Sequence, residues 1–567
     1  MLSKRTFPSE SVLAMIVSNR QYTQIVEDLS SYLSRQGRRE DALEAVLEVV
    51  HLRRQLATDY HAAFNAELAR SLNKLSRRLG DLGCREDALK AIVESVNLYR
   101  QFTNRPTTLN ADFARSLKSH SFCLSALGLR ENALEVIVES VSIYRQLAAD
   151  HPATFNAELA RSLSNLSRSL GDLGRLEDAL KAIVESVNLY RQLTDRPATF
   201  NADLAISLYN LSHSQGVLGC REDALEAIVE SVDIFRQLAA DRPAVFNPGL
   251  ARSLNTLSRS LCRLGHRKGA LEAIKESVDL YEQLAAVYPA AFNAELARSL
   301  VNLSHCLYGL GCQEDAFEAM VKPVDLFRQL AADHPPAFNP DLAWSLNNLS
   351  HRLGDLGFRE DALKVVLEAV DLHRQLARDQ PAAFNQGLAQ SLGTLSCSLV
   401  HLKHHEEALK FIVESINLYR RLAAEHPAAS NPDLAWSLKS HSFCLSSLGR
   451  QEDALGAIAE SVDLFRQVAA DHPLAFNPDL ALSLNNLSLS LSDLGCREDA
   501  LKAIMEAVNL HRQLAADRTT AMFDADLANS LDNLSNRLLD LGNQEDALEA
   551  KQEAVEIRRR LAGGIHT

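Results

Sequence analysis

The chain has 567 residues, of which 46% are hydrophobic and 23% charged, and its formal net charge is −14. This acidic balance argues against bulk binding to nucleic acid or to an anionic membrane. No apolar run reaches the roughly 18 to 20 residues that are needed to span a bilayer. The nine cysteines form no Cys-x-x-Cys pair. Such cysteine usage favours a reducing compartment, and we expect a cytoplasmic protein.

Residues 1–18 are expected to form an N-terminal segment outside the main array. Within this segment, Glu10-Ser11-Val12 repeats the later phrase Glu94-Ser95-Val96. The echo is consistent with the remnant of a helix from a lost unit. The start of a fragment of a longer protein and a three-residue coincidence are the alternatives.

From residue 19 onward, one alanine recurs at intervals of 45 to 47 residues, each time in a variant of the phrase Arg-Glu-Asp-Ala-Leu. The twelve members are Ala42, Ala88, Ala133, Ala179, Ala224, Ala270, Ala316, Ala362, Ala408, Ala454, Ala500 and Ala547. A period of this size along a whole chain is typical of a stacked repeat array. We therefore predict twelve repeats over residues 19–563, followed by a short tail of residues 564–567.

Each repeat has the pattern of two amphipathic helices, which we call helix A and helix B. In one repeat, leucines spaced three and four residues apart form a single apolar stripe of helix A: Leu68, Leu72, Leu75, Leu79 and Leu82. Asn65 is predicted to cap this helix, and Asn339-Pro340 occupies the same place in a later repeat. Gly83 is predicted to end helix A in the left-handed conformation. Helix B is predicted to follow from Glu86.

The repeats resemble the tetratricopeptide repeat family at its leucine, glycine and small-residue positions, here Leu72, Leu75, Ser76, Leu79, Gly83, Ala88, Ile92 and Ser95. Units of that family usually have about 34 residues, and the units of this chain are longer. With their Asn-Leu-Ser and Glu-Asp-Ala-Leu phrases, they are similar to kinesin-light-chain-type arrays, including those of large fungal proteins. The resemblance implies an all-α, right-handed α-solenoid superhelix with helix A on its concave face.

Two positions of helix A, five and twelve residues after the predicted cap, are expected to face this groove. The first position has Arg70, Arg115, Arg161, Arg252, Arg298, Trp344 and Trp436. The second position has Arg77, Phe122, Arg168, His213, Arg259 and His305. Asparagines between them, such as Asn347, are expected to hold a peptide backbone. The groove is thus predicted to be basic in its first half and aromatic in its second.

Our first hypothesis is a non-enzymatic scaffold that binds extended, acidic peptide segments in the groove. Arginine forms forked bonds to carboxylates, and aromatic residues anchor interfaces. The resemblance to kinesin-light-chain-type arrays, which bind short acidic and aromatic peptides, implies the same. In the competing interpretation, the arginines pair with the recurrent Glu-Asp of adjacent helices and serve only stacking. A hypothesis of a different class is the sensor or autoinhibitory region of a larger signalling protein with an NTPase or protease-like effector.

The sequence contains no pattern typical of catalysis, of a metal site or of a cofactor site. Glycines occur singly at predicted helix ends rather than in a loop that cradles phosphate. The run His404-His405-Glu406-Glu407 lacks the second histidine, one turn on, of the His-Glu-x-x-His zinc motif. We therefore expect protein or peptide partners and no enzymatic activity.

Overall fold

A computed structural model of the protein describes residues 10–35, 38–60, 62–102, 105–193, 198–425, 427–471, 473–517 and 521–563. These described residues form helices and no strand, so the predicted all-α solenoid of helix pairs is confirmed. The chain divides into two compact units, which we call unit 1 (Met1–Leu284) and unit 2 (Ala285–Thr567). The predicted tail of residues 564–567 lies outside the described residues.

The odd-numbered helices are the A helices of successive repeats. They are α1 (Glu10–Arg35), α3 (Ala62–Asp81), α5 (Thr107–Ala126), α7 (Pro152–Asp172), α9 (Ala198–Val217), α11 (Pro243–Arg263), α13 (Pro289–Gly309), α15 (Pro335–Asp355), α17 (Pro381–His401), α19 (Pro427–Ser447), α21 (Pro473–Asp493) and α23 (Ala521–Asp540). The first of them, α1, continues without a break through residue 19, where the repeat array was predicted to begin.

The even-numbered helices are the B helices. They are α2 (Arg39–Tyr60), α4 (Arg85–Arg100), α6 (Arg130–Asp150), α8 (Leu176–Gln192), α10 (Arg221–Asp241), α12 (Arg267–Val287), α14 (Gln313–Asp333), α16 (Arg359–Asp379), α18 (His405–Glu425), α20 (Gln451–Asp471), α22 (Arg497–Asp517) and α24 (Gln544–Gly563). The predicted start of helix B near Glu86 is confirmed, since α4 begins one residue earlier.

Helix A begins about one turn before the asparagine that was predicted to cap it. Asn65 lies inside α3, and Asn339 and Pro340 lie inside α15, which begins at Pro335. The predicted cap is therefore wrong. A proline such as Pro335 in the first turn has a φ angle that already suits the helix, and its missing N–H has no helical acceptor to lose. The helix consequently starts there and tolerates the loss of one backbone bond at Pro340.

The turn from helix A to helix B depends on a residue in the left-handed conformation. Gly83 has φ 78°, and the amide of the next residue, Cys84, donates to the carbonyl oxygen of Leu79 at 2.9 Å. This bond satisfies a carbonyl group that the helix end would leave unpaired. The predicted role of Gly83 is thus confirmed. Lys403 occupies the same place in a later repeat with φ 64°.

The A helices of each unit form a continuous row. In unit 1, α6 packs against both α5 and α7, while α5 also contacts α3 and α7. In unit 2, α16 packs against both α15 and α17, and α17 also contacts α15 and α19. The B helices therefore supply apolar side chains such as Tyr144 and Val141 to the core between A helices. We call the exposed side of this row in each unit the A-helix surface. It carries Arg77 and Arg168 in unit 1 and Trp344 and Trp436 in unit 2.

The periodic alanines mark the tightest contact between the two helices of a repeat. All twelve are at most 3% exposed. In ten repeats, a serine of helix A donates a hydrogen bond to the carbonyl oxygen of the alanine twelve residues later, namely Ser30, Ser121, Ser212, Ser258, Ser304, Ser350, Ser396, Ser442, Ser488 and Ser535. Seven of these repeats carry the serine in an Asn-Leu-Ser or Thr-Leu-Ser phrase and use it inside the stack.

Candidate functional site

The arginines five residues after the predicted cap pair with carboxylates of the A-helix row. Arg70 of α3 donates from Nε to Asp112 of α5 at 2.7 Å. Arg115, one turn further along α5, donates to the other oxygen of the same carboxylate at 2.9 Å. Asp112 therefore binds two arginines that the sequence had assigned to ligand binding.

The same arrangement recurs at Arg161 and Arg298. Arg161 donates from Nε to Asp203 at 2.9 Å and from Nη1 to Glu158 at 2.8 Å. Partial burial lowers the pKa of Arg161, but the hydrogen bond and charge of Asp203, with the charge of Glu158, raise it overall. In unit 2, Arg298 bonds to Asp341 at 2.7 Å and to Glu295 at 3.0 Å.

These ion pairs agree with the interpretation in which the arginines bind carboxylates of neighbouring helices. The carboxylates, however, are not the predicted ones. The predicted partners were the Glu-Asp pairs, such as Glu86-Asp87, that lie at the start of helix B. The actual partners of Arg70, Arg161 and Arg298 stand two residues after the predicted cap of the next A helix. A recurrent acidic residue at that place is visible in the sequence and was the missed signal. Each arginine remains about one third to one half exposed, so these bonds occupy the side chains without covering them.

The arginines twelve residues after the predicted cap are exposed on the A-helix surface of unit 1. Arg168 of α7 lies over the ring of Phe122 in α5, 5.6 Å from its centroid. Its Nη2 also donates to Asn165 at 3.0 Å. Arg77 and Phe122 line one pocket of about 470 Å³ together with Lys118 and Asn165. The pocket thus combines cations with an aromatic ring on three neighbouring A helices.

Arg252 and Arg259 are exposed on α11, also in unit 1. Asn347 of α15, by contrast, is only 2% exposed. Its amide is packed between helices, so Asn347 does not lie on the A-helix surface where a peptide backbone was expected to bind. Asn347 is buried because neighbouring helices approach it closely. The sequence pattern does not show how closely these helices approach.

The first tryptophan of unit 2 lies in a cluster of rings and cations. Trp344 is 39% exposed and packs against the imidazole of His305, with 5.8 Å between the ring centroids. Burial, together with the charges of Arg352 and His351, lowers the pKa of His305 to about 4. The guanidinium of Arg352 lies 3.6 Å from the centroid of the Tyr308 ring. His305 is therefore a neutral support for Trp344 at pH 7 rather than a cation.

The second tryptophan, Trp436 of α19, is 43% exposed. The Nζ of Lys439 lies 3.2 Å from the centroid of its ring, and Phe465 of α20 contacts it edge-on at 6.4 Å. Burial lowers the pKa of Lys439 to about 8 despite the charge of Asp479. Phe443, two turns along α19, is 59% exposed. The A-helix surface of unit 2 therefore presents large apolar side chains.

Within the described part of the chain, no three histidine, cysteine or carboxylate side chains are grouped so that they could hold a metal ion. None of the described helices is long and apolar enough to cross a membrane. None of the nine cysteines, all of which lie in the described ranges, forms a disulfide.

Two sequence families match parts of the chain. The tetratricopeptide repeat family matches residues 159–195, 250–285, 342–382 and 527–567. Anaphase-promoting complex subunit 5 matches residues 13–111, 198–242, 371–426 and 477–529. Comparison with curated proteins gives no match.

Several solved structures are similar to the chain. The apo form of RapI is 13% identical over 72% of this chain and 99% of that chain, with a TM-score of 0.47. A Rap protein complexed with Competence and Sporulation Factor is 11% identical over 71% of this chain and 99% of that chain, with a TM-score of 0.46. A putative kinesin light chain of Podosopora anserina with nearly identical TPR-like repeats is 19% identical over 39% of this chain and 97% of that chain, with a TM-score of 0.29.

Proposed function

The chain belongs to the tetratricopeptide repeat family, and on this premise we propose that the A-helix surface of each unit binds an extended segment of a partner protein. Membership of this family makes the chain a helical repeat scaffold for protein interaction. Families of this type are generally non-catalytic, and the proposal includes no chemical step.

The exposed aromatic residues of unit 2 carry the proposal. Trp344, Trp436 and Phe443 all lie on A helices and are 39%, 43% and 59% exposed. Large apolar side chains that stay exposed on A helices favour an interaction site, because covering them releases water from apolar surface. Aromatic residues of this kind are the usual anchors of interfaces. Unit 2 is thus suited to the apolar side chains of a bound segment.

The charge pattern of unit 1 supports a preference for acidic segments. Arg70, Arg115 and Arg161 already pair with carboxylates of the fold, so they add little attraction for a ligand. Arg77 and Arg259 have no such carboxylate partner among the described residues and are exposed. A guanidinium in this state forms charge-assisted bonds to an incoming carboxylate. The acidic preference therefore belongs to the exposed arginines that have no such partner, among them Arg77 and Arg259.

A displayed library of random linear peptides tests this function. We expect the chain to select peptides that combine acidic and aromatic residues. Replacing Arg77, Arg168 and Arg259 by Glu should weaken the acidic class by at least about tenfold, since each charge-assisted bond is worth on the order of 1.5–3 kcal/mol. Replacing Trp344 and Trp436 by Ala should weaken the aromatic class.

The matched control replaces Lys181, Arg242 and Lys268 by Glu, which changes the charge of the chain equally. These three cations are exposed and lie outside the A helices. Circular dichroism of every variant checks that the helices remain. If selected peptides bind all variants as tightly as the wild type, the A-helix surface is not the binding site.

The alternative, a sensor or autoinhibitory region of a larger signalling protein, makes a different prediction. It requires a coding region that extends beyond this chain into an effector domain. A full-length transcript distinguishes the two hypotheses.

A further inference from the structure

Arg263, the last residue of α11, reverses a charge that is common at its place. Five other A helices have aspartate at the corresponding position, namely Asp81, Asp172, Asp355, Asp493 and Asp540. In α7 the arginine one turn earlier, Arg168, is followed by Asp172. Burial lowers the pKa of that guanidinium, and the charge of Asp172 partly offsets this effect. In α11 the corresponding residues are Arg259 and Arg263, so two cations follow one another on the same helix face.

Basic residues of two further helices complete a cluster around Arg263. A methyl group built on Gly216 of α9 would lie 3.4 Å from Nη1 of Arg263, so the guanidinium packs against α9. Arg221, at the start of α10, donates from Nη1 to the carbonyl oxygen of Arg263 at 3.5 Å. His213 stands on α9 close to Gly216, where burial and the charges of Arg259 and Arg263 lower its pKa, so it joins the group as a neutral imidazole at pH 7. Four basic side chains from three helices of unit 1 thus converge, and we call them the α11 basic cluster.

The α11 basic cluster lacks an acidic partner. Among the described residues, Arg259, Arg263 and His213 form no ion pair with a carboxylate, unlike Arg70, Arg161 and Arg298. Partial burial and the charges of Arg259 and Arg221 lower the pKa of Arg263. Arg259 and Arg263 are nevertheless exposed to solvent. Mutual repulsion of these cations is relieved by an anion, which the exposed surface leaves room to bind.

We propose that the α11 basic cluster binds a phosphorylated serine or threonine side chain of the partner segment. The inference rests on the proposed function, because Arg259 lies on the A-helix surface of unit 1. A carboxylate carries one charge and two oxygens, and Asp112 already uses both oxygens to bind Arg70 and Arg115. A phosphoryl group carries about −1.5 to −2 charges and three acceptor oxygens. Forked guanidinium groups suit such a group better than a lone carboxylate.

Degenerate peptide pools with one fixed central residue test this inference. The fixed residue is phosphoserine, phosphothreonine, serine or glutamate in otherwise identical fluorescent pools, titrated at constant ionic strength. We expect the two phosphorylated pools to bind at least about tenfold more tightly than the serine pool, because a charge-assisted hydrogen bond is worth about one decade of affinity. Arg263→Asp should remove most of this difference.

Arg263→Asp introduces the residue that five other A helices carry at this place, so the fold is expected to tolerate it. Lys268→Asp, an exposed change on the neighbouring α12, is the control of equal charge and should leave the preference unchanged. If Arg263→Asp lowers the melting temperature, Arg263→Gln tests the same loss of charge without introducing a carboxylate.

Each contrary result identifies what fails. Equal binding of the glutamate and phosphorylated pools overturns the phosphate inference but leaves the proposed function standing. Equal loss of preference in Lys268→Asp shows that bulk charge, not the α11 basic cluster, is responsible. If the protein binds vesicles with phosphoinositide headgroups but does not bind the phosphorylated pools, the ligand of the cluster is a lipid and the inference is overturned. The variants of Trp344 and Trp436 test the binding of aromatic peptides. Their result concerns only the proposed function.

Discussion

Ser350 of α15 donates a 2.8 Å hydrogen bond from Oγ to the carbonyl oxygen of Ala362 in α16. The Asn-Leu-Ser phrase and the periodic alanine, which look like separate motifs in the sequence, are therefore the two ends of one contact. Ala362 is 2% exposed, and its small side chain lets the helices approach closely enough for the bond. Ten repeats form this contact at the equivalent serine and alanine.

Replacing Ser350 by Ala should lower the free energy of unfolding by about 1 kcal/mol, because a typical net hydrogen bond is worth that much. The side chain of Ser350 is buried, so the alanine carbonyl has no water to take the place of the hydroxyl. Urea unfolding measures the change. Ser447→Ala, at an exposed residue near the end of α19, should be within about 0.5 kcal/mol of the wild type. Equal effects of the two variants would contradict a specific role for the inter-helix bond.

Gly249 of α11 packs directly beneath the ring of Phe235. A methyl group on Gly249 would overlap with Cε1 of that ring, and Phe235 is only 4% exposed. We expect Gly249→Ala to destabilise the protein by about 1 kcal/mol, since overpacking costs roughly 1–3 kcal/mol and exceeds the gain in helix propensity.

Gly456 of α20 is the matched control for Gly249. A methyl group there meets no atom within 4 Å, so Gly456→Ala should stabilise the protein by about 0.5–1 kcal/mol through helix propensity alone. Thermal unfolding of both variants decides the question. A gain of stability in Gly249→Ala would show that the ring of Phe235 moves aside without cost.

Lys403 adopts φ 64° at a turn where ten other repeats have glycine with positive φ. Because the left-handed region costs a residue with a side chain roughly 1–2 kcal/mol, Lys403→Gly should raise the free energy of unfolding by about 1 kcal/mol. Gly357→Ala tests the reverse change, since nothing lies within 4 Å of its added methyl group and only the backbone strain remains. A stabilised Gly357→Ala would contradict this explanation.

Two buried histidines of unit 2 should make the protein sensitive to acid. Burial lowers the pKa of His373 and of His511 to about 4. Each Nδ1 lies 2.8 Å from a serine Oγ, that of Ser391 and that of Ser530 respectively. The unfolded chain takes up these protons near pH 6.5, whereas the folded chain does so only near pH 4. Their contribution to stability is therefore complete above about pH 6.5 and is lost as the pH falls toward 4.

The slope of unfolding free energy against pH measures this effect. Each histidine contributes up to about 1.4 kcal/mol per pH unit between these two values. His373→Phe should reduce the slope by one such contribution, and the fold offers a precedent for a phenyl ring at this place, since Phe235 packs over Gly249 as His373 packs over Gly387. An unchanged slope in the variant would show that His373 takes up its proton equally in both states.

The sequence by itself determined the repeat, its two helices and the turn between them. Period, leucine spacing and the small residue at Ala88 are properties of the chain that hold at every repeat, and Gly83 acts through its own backbone angles. Such features depend on residues close in sequence, where helix periodicity and turn chemistry are read directly. The start of helix A was mispredicted at asparagines such as Asn339 because the proline one turn earlier in most repeats, here Pro335, is the stronger signal for a helix start.

Only the tertiary structure decided which side chains of the A-helix surface are occupied. Asp112 binds Arg70 and Arg115 from two different helices, and Asn347 is covered although its place in the pattern suggested exposure. These outcomes depend on the distance and rotation between neighbouring helices, to which the residue pattern within one repeat is insensitive. The same is true of Arg263, which stands where five other A helices have aspartate. Because Arg263 lies close to α9 and α10, it forms part of a cluster of positive charge.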